Sequence, residues 1–432
     1  MHVKSPQEGR SNNEHDSTGS VLEYMPTVNE EPRNPFAKVA GIPILSFFTG
    51  AGFLDMGFLK AGFNIIWHNE YDPYFIRGFE YGMFALLGST TCSNIQNTHS
   101  ILDIGPNQIA KEAFHNTPRP AVFGIIGGPP CPDFSVGGKN RGQEGDRGKL
   151  SQVYTHRIIE LQPSFFLFEN VPGLLRTSKH RQFLADLMKQ LSRDYLIDLK
   201  VLNALEYGAP QDRERVFLVG FLKKWLRKNI DLDFPVEHDN WFHVLSSLEK
   251  GSQPVLFPAW DSWFPWHVDP RYTGAKSRFN WPKQSPFGGD PEKPAGIPDE
   301  LMVGPLLENW EELASLPNGK EGFDPKSGKF TSIPEGDVSR KSFKRLHRWR
   351  YSPAVAYGNN EVHLHPTQPR RLTVREALRI QTVPDDYTFP PELPLSHKFK
   401  MIGNGVPVKL ARTIANSFVT VLGGNLNGNG NF

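Results

Sequence analysis

Cysteine is scarce in this sequence: Cys92 and Cys131 are the two in a chain of 432 residues. No Cys-x-x-Cys pair occurs, so there is no pattern for a disulfide framework or a cysteine zinc site, and we expect no bound metal. The sequence also lacks a run of about eighteen apolar residues and a signal-like start. We therefore expect a cytoplasmic protein that does not enter a membrane, in a compartment where a free thiol survives.

An excess of one charge sign is missing as well. The chain carries 48 Lys and Arg against 46 Asp and Glu, which gives a net charge of +2. Overall charge therefore does not indicate a nucleic-acid-binding protein, and any such affinity has to come from local clusters. The length is sufficient for two domains with cores of their own, and 38% hydrophobic residues are typical of a globular enzyme.

The composition changes along the chain. Residues 1–36 are rich in Ser, Asn, Glu and Pro, with little apolar periodicity, and we predict that they form a disordered extension. Between residues 41 and 221, short apolar runs alternate with amphipathic stretches. This alternation predicts βαβ units and an α/β domain with a mainly parallel sheet. Residues 223–340 are rich in Trp, Pro and Gly and show few helical patterns, which favours a loop-rich second domain.

The most informative stretch is Pro129-Pro130-Cys131-Pro132, which follows an apolar run at residues 121–126. A thiol at the carboxyl end of a buried strand lies where open α/β sheets place their chemistry, and the prolines restrict the backbone around it. A second apolar run, residues 165–168, ends in Glu169. A nucleophile and an acid at two strand ends favour an acid-assisted covalent site. The alternative is a buried structural cysteine, the commoner state of a lone Cys.

A glycine-rich turn, Thr49-Gly50-Ala51-Gly52, follows the first predicted strand. Glycines let the backbone approach a ligand closely. Eighteen residues after Gly52, a second predicted strand ends in Glu70, a spacing that suits hydrogen bonds from ribose hydroxyls. Asp103, expected at a third strand end, could accept from an adenine amino group. The pattern by itself also fits a nicotinamide-binding Rossmann enzyme or an ordinary βα turn.

Taken in order, these elements resemble the DNA (cytosine-5) methyltransferases of bacterial restriction-modification systems. Three later motifs add to the resemblance: Gln211-Asp212-Arg213-Glu214-Arg215, Arg371-Leu372-Thr373 through Pro384, and Gly403-Asn404-Gly405-Val406. The resemblance implies a Rossmann-like S-adenosylmethionine-dependent methyltransferase domain with a smaller, loop-rich target-recognition domain. The boundaries that we expect are residues 37–221 plus 399–425 for the discontinuous catalytic domain, and 222–398 for recognition domain and hinge.

The resemblance also implies the reaction and its residues. A methyl group from S-adenosylmethionine is transferred to C5 of a cytosine flipped out of double-stranded DNA. Cys131 forms a bond to C6, Glu169 hydrogen-bonds N3 and the exocyclic amine, Arg215 holds O2, and Arg213 lies near the phosphate or the cysteine. The implied cofactor contacts are Phe48, Gly50, Ala51, Gly52, Glu70, Asp103, Ile104, Pro130, Leu150, Asn404 and Val406. One departure from the family is Phe53, where many relatives have Gly.

DNA contacts are expected at two places. Ser135 and Arg141 lie in the segment after the nucleophile, which in the family closes on DNA. Arg345 and Arg348 belong to a basic stretch that no acid interrupts, and Arg371 follows it; such a cluster suits phosphate contacts. The alternatives are a plain surface loop for the first segment and a solvated charged face for the second.

Other interpretations are open at this point. They are an RNA (tRNA) cytosine-5 methyltransferase, a catalytically silent DNA-binding regulator, and a Rossmann dehydrogenase. The long interval at residues 222–370 argues against the RNA methyltransferase. The intact Cys131, Glu169 and Arg215 argue against the silent regulator, and the late motifs argue against the dehydrogenase. We expect a monomer that protects DNA from a cognate restriction endonuclease.

Overall fold

The computed structural model describes residues 41–88, 95–115, 118–130, 146–230, 262–355, 357 and 361–423. The extension predicted at residues 1–36 lies outside these ranges. So do three residues of the predicted site, Cys131, Ser135 and Arg141, whose roles stay predictions.

A seven-stranded sheet forms the centre of the amino-terminal half. The strands of the chain are β1 (Pro43–Phe47), β2 (Asn64–Asn69), β3 (Ile95–Asn97), β4 (Gly124–Gly127), β5 (Phe165–Asn170), β6 (Tyr195–Asn203), β7 (Gln211–Asp212), β8 (Glu214–Leu222) and β9 (Ser352–Pro353). The order in the large sheet is β3-β2-β1-β4-β5-β8-β6, and β7 pairs separately with β9. Strands β1 to β5 pair in parallel, whereas β8 runs antiparallel to both of its neighbours. The prediction of an α/β fold with a mainly parallel sheet is confirmed.

The helices are α1 (Phe53–Lys60), α2 (Pro73–Leu87), α3 (Pro106–Phe114), α4 (Asp146–Leu161), α5 (Ser178–Leu191), α6 (Lys223–Asn229), α7 (Ala275–Arg278), α8 (Gly304–Leu307), α9 (Trp310–Ser315), α10 (Lys329–Ser332), α11 (Val374–Ile380), α12 (Leu395–Asn404) and α13 (Val408–Leu422). None of those in the described ranges has both the length and the apolar character needed to span a bilayer.

Both faces of the sheet are buried, which explains why its strands are continuous apolar runs rather than alternating ones. On one face, Leu45, Ile125 and Phe166 pack with side chains of α3, α4 and α5. On the other face, their neighbours Ile44 and Phe165 pack with α1 and α13. Successive strand residues point to opposite faces, so both sets are covered.

The carboxyl-terminal helix α13 returns to the start of the chain and packs directly on α1. A Cβ at Gly57 would lie 2.4 Å from the Cβ of Ala411, so only glycine allows this approach. Phe53 lies one turn before Gly57 on α1, and a Cβ at Gly405 would lie 2.3 Å from its ring. Phe53, the departure from the family pattern, therefore covers the loop that carries Asn404 and Val406.

The region between residues 262 and 355 contains little regular structure. Its longest described helix, α9, has six residues, in agreement with a loop-rich region. Its largest apolar cluster includes Leu346 and Leu372 and also Phe53 of α1 and Phe79 of α2. Because one cluster runs across both halves, the domain boundaries given above stay a prediction.

Candidate active site

The glycine-rich turn is held in a left-handed conformation at three positions, with φ of 56° at Phe48, 58° at Gly50 and 77° at Gly52. Glu70, at the end of β2, fixes the turn: its Oε2 accepts a hydrogen bond from Gly50 N at 3.0 Å. A Cβ at Gly50 would meet nothing nearer than a carbonyl oxygen at 4.0 Å. This face of the turn is therefore open to a ligand, and backbone can approach it closely.

Glu70 also accepts hydrogen bonds from backbone outside the turn. Its Oε1 accepts from Tyr71 N at 2.8 Å and from Asp72 N at 3.0 Å. Burial raises the pKa of Glu70, and the backbone N–H groups of Asp72, Gly50 and Tyr71 oppose this shift. The ring of Tyr71 is 69% exposed directly beside this carboxylate. Tyr71 is not among the residues predicted from the sequence, although an aromatic residue immediately after a strand-end acid was a usable signal.

The remaining predicted cofactor residues fall into two groups. Ile104 and Leu150 border the same apolar cluster as Phe48, and Ala51 is buried. Asn404 is exposed at the end of α12. Val406 is buried two residues later, beyond the Gly405 contact with Phe53.

Asp103 does not lie at a strand end as expected. It follows β3 by six residues and lies exposed in a turn before α3. Pro130 is exposed at the edge of the described segment after β4. Contacts of both residues with a cofactor stay predictions.

Glu169 lies near the carboxyl end of β5, beside the antiparallel strand β8 that carries Arg215. Arg215 Nε lies 3.0 Å from Glu169 Oε1, and both side chains are 12% exposed. Oε1 nevertheless makes no hydrogen bond within the described residues. Burial raises the pKa of Glu169, while Arg215 and then Arg213 act to lower it. The site therefore offers a carboxyl group that is more easily protonated than usual and that lies beside a guanidinium.

The segment that leads to Cys131 packs against this acid. A Cβ at Gly128 would lie 2.6 Å from Glu169 Oε2, so a larger residue there would displace the carboxylate. Asn170 Nδ2 donates to Pro129 O at 3.4 Å. The backbone just before the cysteine and the strand end with Glu169 are thus in contact, although Cys131 itself lies outside the described residues.

Arg213 is placed differently from the prediction. It falls between β7 and β8 and is 1% exposed. Its Nη1 donates to Val355 O and its Nη2 to Gly403 O, each at 2.7 Å. A buried guanidinium bound in this way cannot reach a DNA phosphate, which corrects that part of the prediction. Instead, Arg213 ties the strand that carries Arg215 to the loop of Asn404.

The prediction for Arg345 is also corrected, because this residue is fully buried. Its guanidinium donates to Ile333 O at 2.9 Å, to Gln368 O at 3.0 Å, and to the carbonyl oxygens of His365 and Phe330. The expected contact with a DNA phosphate is wrong for this residue. No acid interrupts the basic stretch in the sequence, but the fold supplies carbonyl acceptors from other segments.

Two other predicted phosphate contacts are likewise engaged within the protein. Arg348 forms an ion pair with buried Glu335 at 3.0 Å and a longer one with Asp290 at 3.4 Å. Arg371 is 7% exposed and donates to the carbonyl oxygens of Ser342 and Val362. Neither presents a free guanidinium, so any DNA contact by Arg348 would require its ion pairs to open.

The sequence matches the family model of C-5 cytosine-specific DNA methylases over residues 42–420. It is 41% identical over 386 residues to the Type II methyltransferase M.NmeDI of Neisseria meningitidis serogroup C, covering 86% of this chain and 82% of that protein. It is 31% identical over 395 residues to the Type II methyltransferase M.FnuDI of Fusobacterium nucleatum, covering 86% and 92%.

Solved structures share the fold. A prophage-encoded protein of E. coli, assigned as a DNA modification methyltransferase, superposes with a TM-score of 0.54 at 24% identity, over 88% of this chain and 99% of that one. The Dnmt2 methyltransferase of S. pombe superposes with a TM-score of 0.52 at 11% identity, over 88% and 98%. Among these proteins the architecture is retained while most side chains differ.

Proposed function

Since the chain belongs to the C-5 cytosine-specific DNA methylases, we propose that it methylates cytosine in DNA through a covalent adduct of Cys131. Its activity is sequence-specific DNA (cytosine-5) methylation, and the Rossmann-like fold predicted from the sequence carries it. The observation that supports the adduct is the Glu169–Arg215 pair at the sheet edge, packed against the backbone that leads to Cys131.

Each side chain then has a chemical task. Cytosine C5 is a poor nucleophile, and addition of the Cys131 thiolate to C6 moves electron density onto it. Glu169, protonated more readily because it is buried, donates a proton to N3 as that bond forms. Arg215 is close enough to Glu169 to bind the neighbouring O2 of the same base. Once C5 carries the methyl group, a water molecule takes the C5 proton, the S–C6 bond breaks to return the thiolate, and N3 gives its proton back to Glu169.

The methyl donor that the family implies is S-adenosylmethionine, which supplies an electrophilic methyl group on a sulfonium. The open left-handed turn fits such a ligand, since Gly50 leaves room for it and Glu70 presents a buried carboxylate beside the turn. We assign Phe48, Gly50, Glu70 and Tyr71 to its adenosine part. The loop of Asn404 would close over it from α12.

The biological role is the modification half of a restriction-modification pair, as the Type II names of the relatives suggest. The residues that read the DNA sequence would lie in the interval 222–370, since Cys131, Glu169 and Arg215 lie outside it. Bisulfite sequencing of DNA from cells that express the chain tests activity and identifies the target. Random conversion patterns, with no protected motif, would contradict sequence-specific methylation.

The adduct has its own test. Cys131→Ser should abolish transfer of labelled methyl groups, because a hydroxyl is far less acidic than a thiol and adds poorly to C6. On target DNA with 5-fluorocytosine, the wild type should give a covalent complex in denaturing electrophoresis, since fluorine cannot leave as a proton. Cys92→Ser is the matched control and should keep both properties. Methyl transfer by Cys131→Ser at the wild-type rate would refute the mechanism.

A further inference from the structure

A cavity of about 410 Å³ lies between α2 and the sheet. Asp55 of α1, His68 of β2 and Gln96 of β3 line it, together with Phe79 and Met83 of α2. Its volume falls within the range of small-molecule sites, roughly 300–1,000 Å³. None of these residues takes part in the chemistry described above.

Several unpartnered polar atoms converge on this cavity. Asp55 Oδ2, both ring nitrogens of His68 and Gln96 Nε2 are buried and make no hydrogen bond within the described residues. Asp55 is 1% and His68 is 5% exposed. An unsatisfied buried polar group costs about 1–3 kcal/mol, and native proteins rarely leave one without a partner. Two of the four are acceptors, Asp55 Oδ2 and the unprotonated nitrogen of His68, whereas Gln96 Nε2 and the other His68 nitrogen are donors. Two unpartnered acceptors beside one cavity indicate that a donor from outside the chain supplies their hydrogen bonds.

The cavity also contains an uncompensated acid. The other oxygen of Asp55 accepts from Ser46 Oγ at 2.6 Å. Burial raises the pKa of Asp55 to about 7, and the Ser46 hydroxyl opposes the shift. Burial lowers the pKa of His68 to about 4, so this ring is neutral and offers one acceptor nitrogen. Above neutral pH the cavity therefore holds a carboxylate with no cation against it.

The charged groups at the mouth of the cavity do not act as counter-ions to the Asp55 carboxylate. Arg77 lines the cavity, but its guanidinium pairs with Glu392 at 2.9 Å and is 58% exposed. The other titratable residues of α2 at the mouth are Glu80 and Tyr81. From α13, which packs on α1, Lys409 donates to Gly208 O instead. Arg412 of the same helix is exposed.

The rest of the lining is apolar. Ile65, Phe84 and Leu87 join Phe79 and Met83 around the space. The Phe79 ring also contacts the His68 ring, with the two centroids 4.5 Å apart and the ring planes tilted by 40°. Such a wall suits a flat ring, while the polar end suits a head group that donates hydrogen bonds.

We propose that this cavity is a second small-molecule site, which takes a compact aromatic cation. Its amidinium or ammonium head would donate to Asp55 Oδ2 and to the acceptor nitrogen of His68, and its ring would lie against Phe79 and Met83. The site is separate from the cofactor turn, because Phe79 stands between them: a Cβ at Gly52 would lie 2.8 Å from its ring.

Benzamidinium is the probe, and neutral benzamide, nearly the same shape, is its control. Binding of each probe is followed by titration calorimetry and by the methyl resonance of Met83, which Met83→Leu assigns. Saturating S-adenosylhomocysteine is present throughout, so that the cofactor turn stays occupied. For so small a ligand we expect a dissociation constant on the order of a millimolar or tighter. Benzamide should bind at least about tenfold more weakly, because it lacks the charge. From pH 6 to about pH 8, benzamidinium should bind about tenfold more tightly as Asp55 ionises.

Two variants decide where the probe binds. Asp55→Asn has the same shape and should lose the preference for benzamidinium and its pH dependence. Glu169→Gln removes a buried acid of the active site that could also attract a cation, and it should leave binding unchanged. The proposal is overturned if no saturable binding occurs, if benzamide binds equally well, or if Asp55→Asn binds as tightly as the wild type.

Discussion

Replacing Arg213 by Met should cost stability first and activity only as a consequence. The guanidinium donates to Val355 O and Gly403 O, 142 and 190 residues away along the chain. Hydrogen bonds from a charged donor contribute about 1.5–3 kcal/mol each, so their loss removes roughly 3–6 kcal/mol. Removing a buried charge returns part of this, because burial disfavours the charged form, as the lowered pKa of Arg213 indicates. We expect a net loss of about 2–4 kcal/mol.

Urea unfolding measures this loss, and methyl transfer is measured on the folded fraction. The matched control is Arg215→Met, two residues away. Arg215 pairs with Glu169 at the edge of the site, and the remaining carboxylate can take up a proton, so the loss of Arg215 should cost less stability than the loss of Arg213 but most of the activity. The interpretation of Arg213 as a clamp is refuted if Arg213→Met unfolds within about 1 kcal/mol of the wild type yet is inactive. That result would place Arg213 in the chemistry.

Three further outcomes are expected. Asp55→Asn should stabilise the protein by up to about 4 kcal/mol above pH 7 and by almost nothing near pH 4. Burial raises the pKa of Asp55 from 3.8 to about 7 in the folded state, so the wild type loses stability as the pH rises from about 4 to about 7, whereas the neutral Asn does not. Denaturation at several pH values measures this difference. Gly57→Ala should destabilise the protein by about 1–3 kcal/mol in thermal unfolding, since the new Cβ meets Ala411. Gly328→Ala is the control and should change the stability little, because the space around Gly328 is open. Arg345→Met should lower the unfolding midpoint by several degrees and leave the salt dependence of DNA binding unchanged; a flatter salt slope would return this residue to the interface.

The sequence by itself determined the catalytic half in outline. Continuous apolar runs predict strands covered on both faces, and β1 (Pro43–Phe47) and β5 (Phe165–Asn170) are found as such strands. The glycine turn and Glu70 were paired by their spacing, and in the structure Gly50 N donates to this carboxylate. These features are local, because periodicity and turn chemistry are properties of one segment. The family itself also followed from the order of the motifs.

Tertiary structure alone decided what the cationic side chains and several buried acids contact. Arg213 and Arg215 are only two residues apart, yet one binds distant carbonyl groups and the other pairs with Glu169. Arg345 lies in a basic run with no neighbouring acid, yet it is buried among carbonyl oxygens from other segments. The sequence likewise gave no sign of the cavity at Asp55. A long side chain takes its partners from whatever the fold brings beside it, and those partners are far away along the chain.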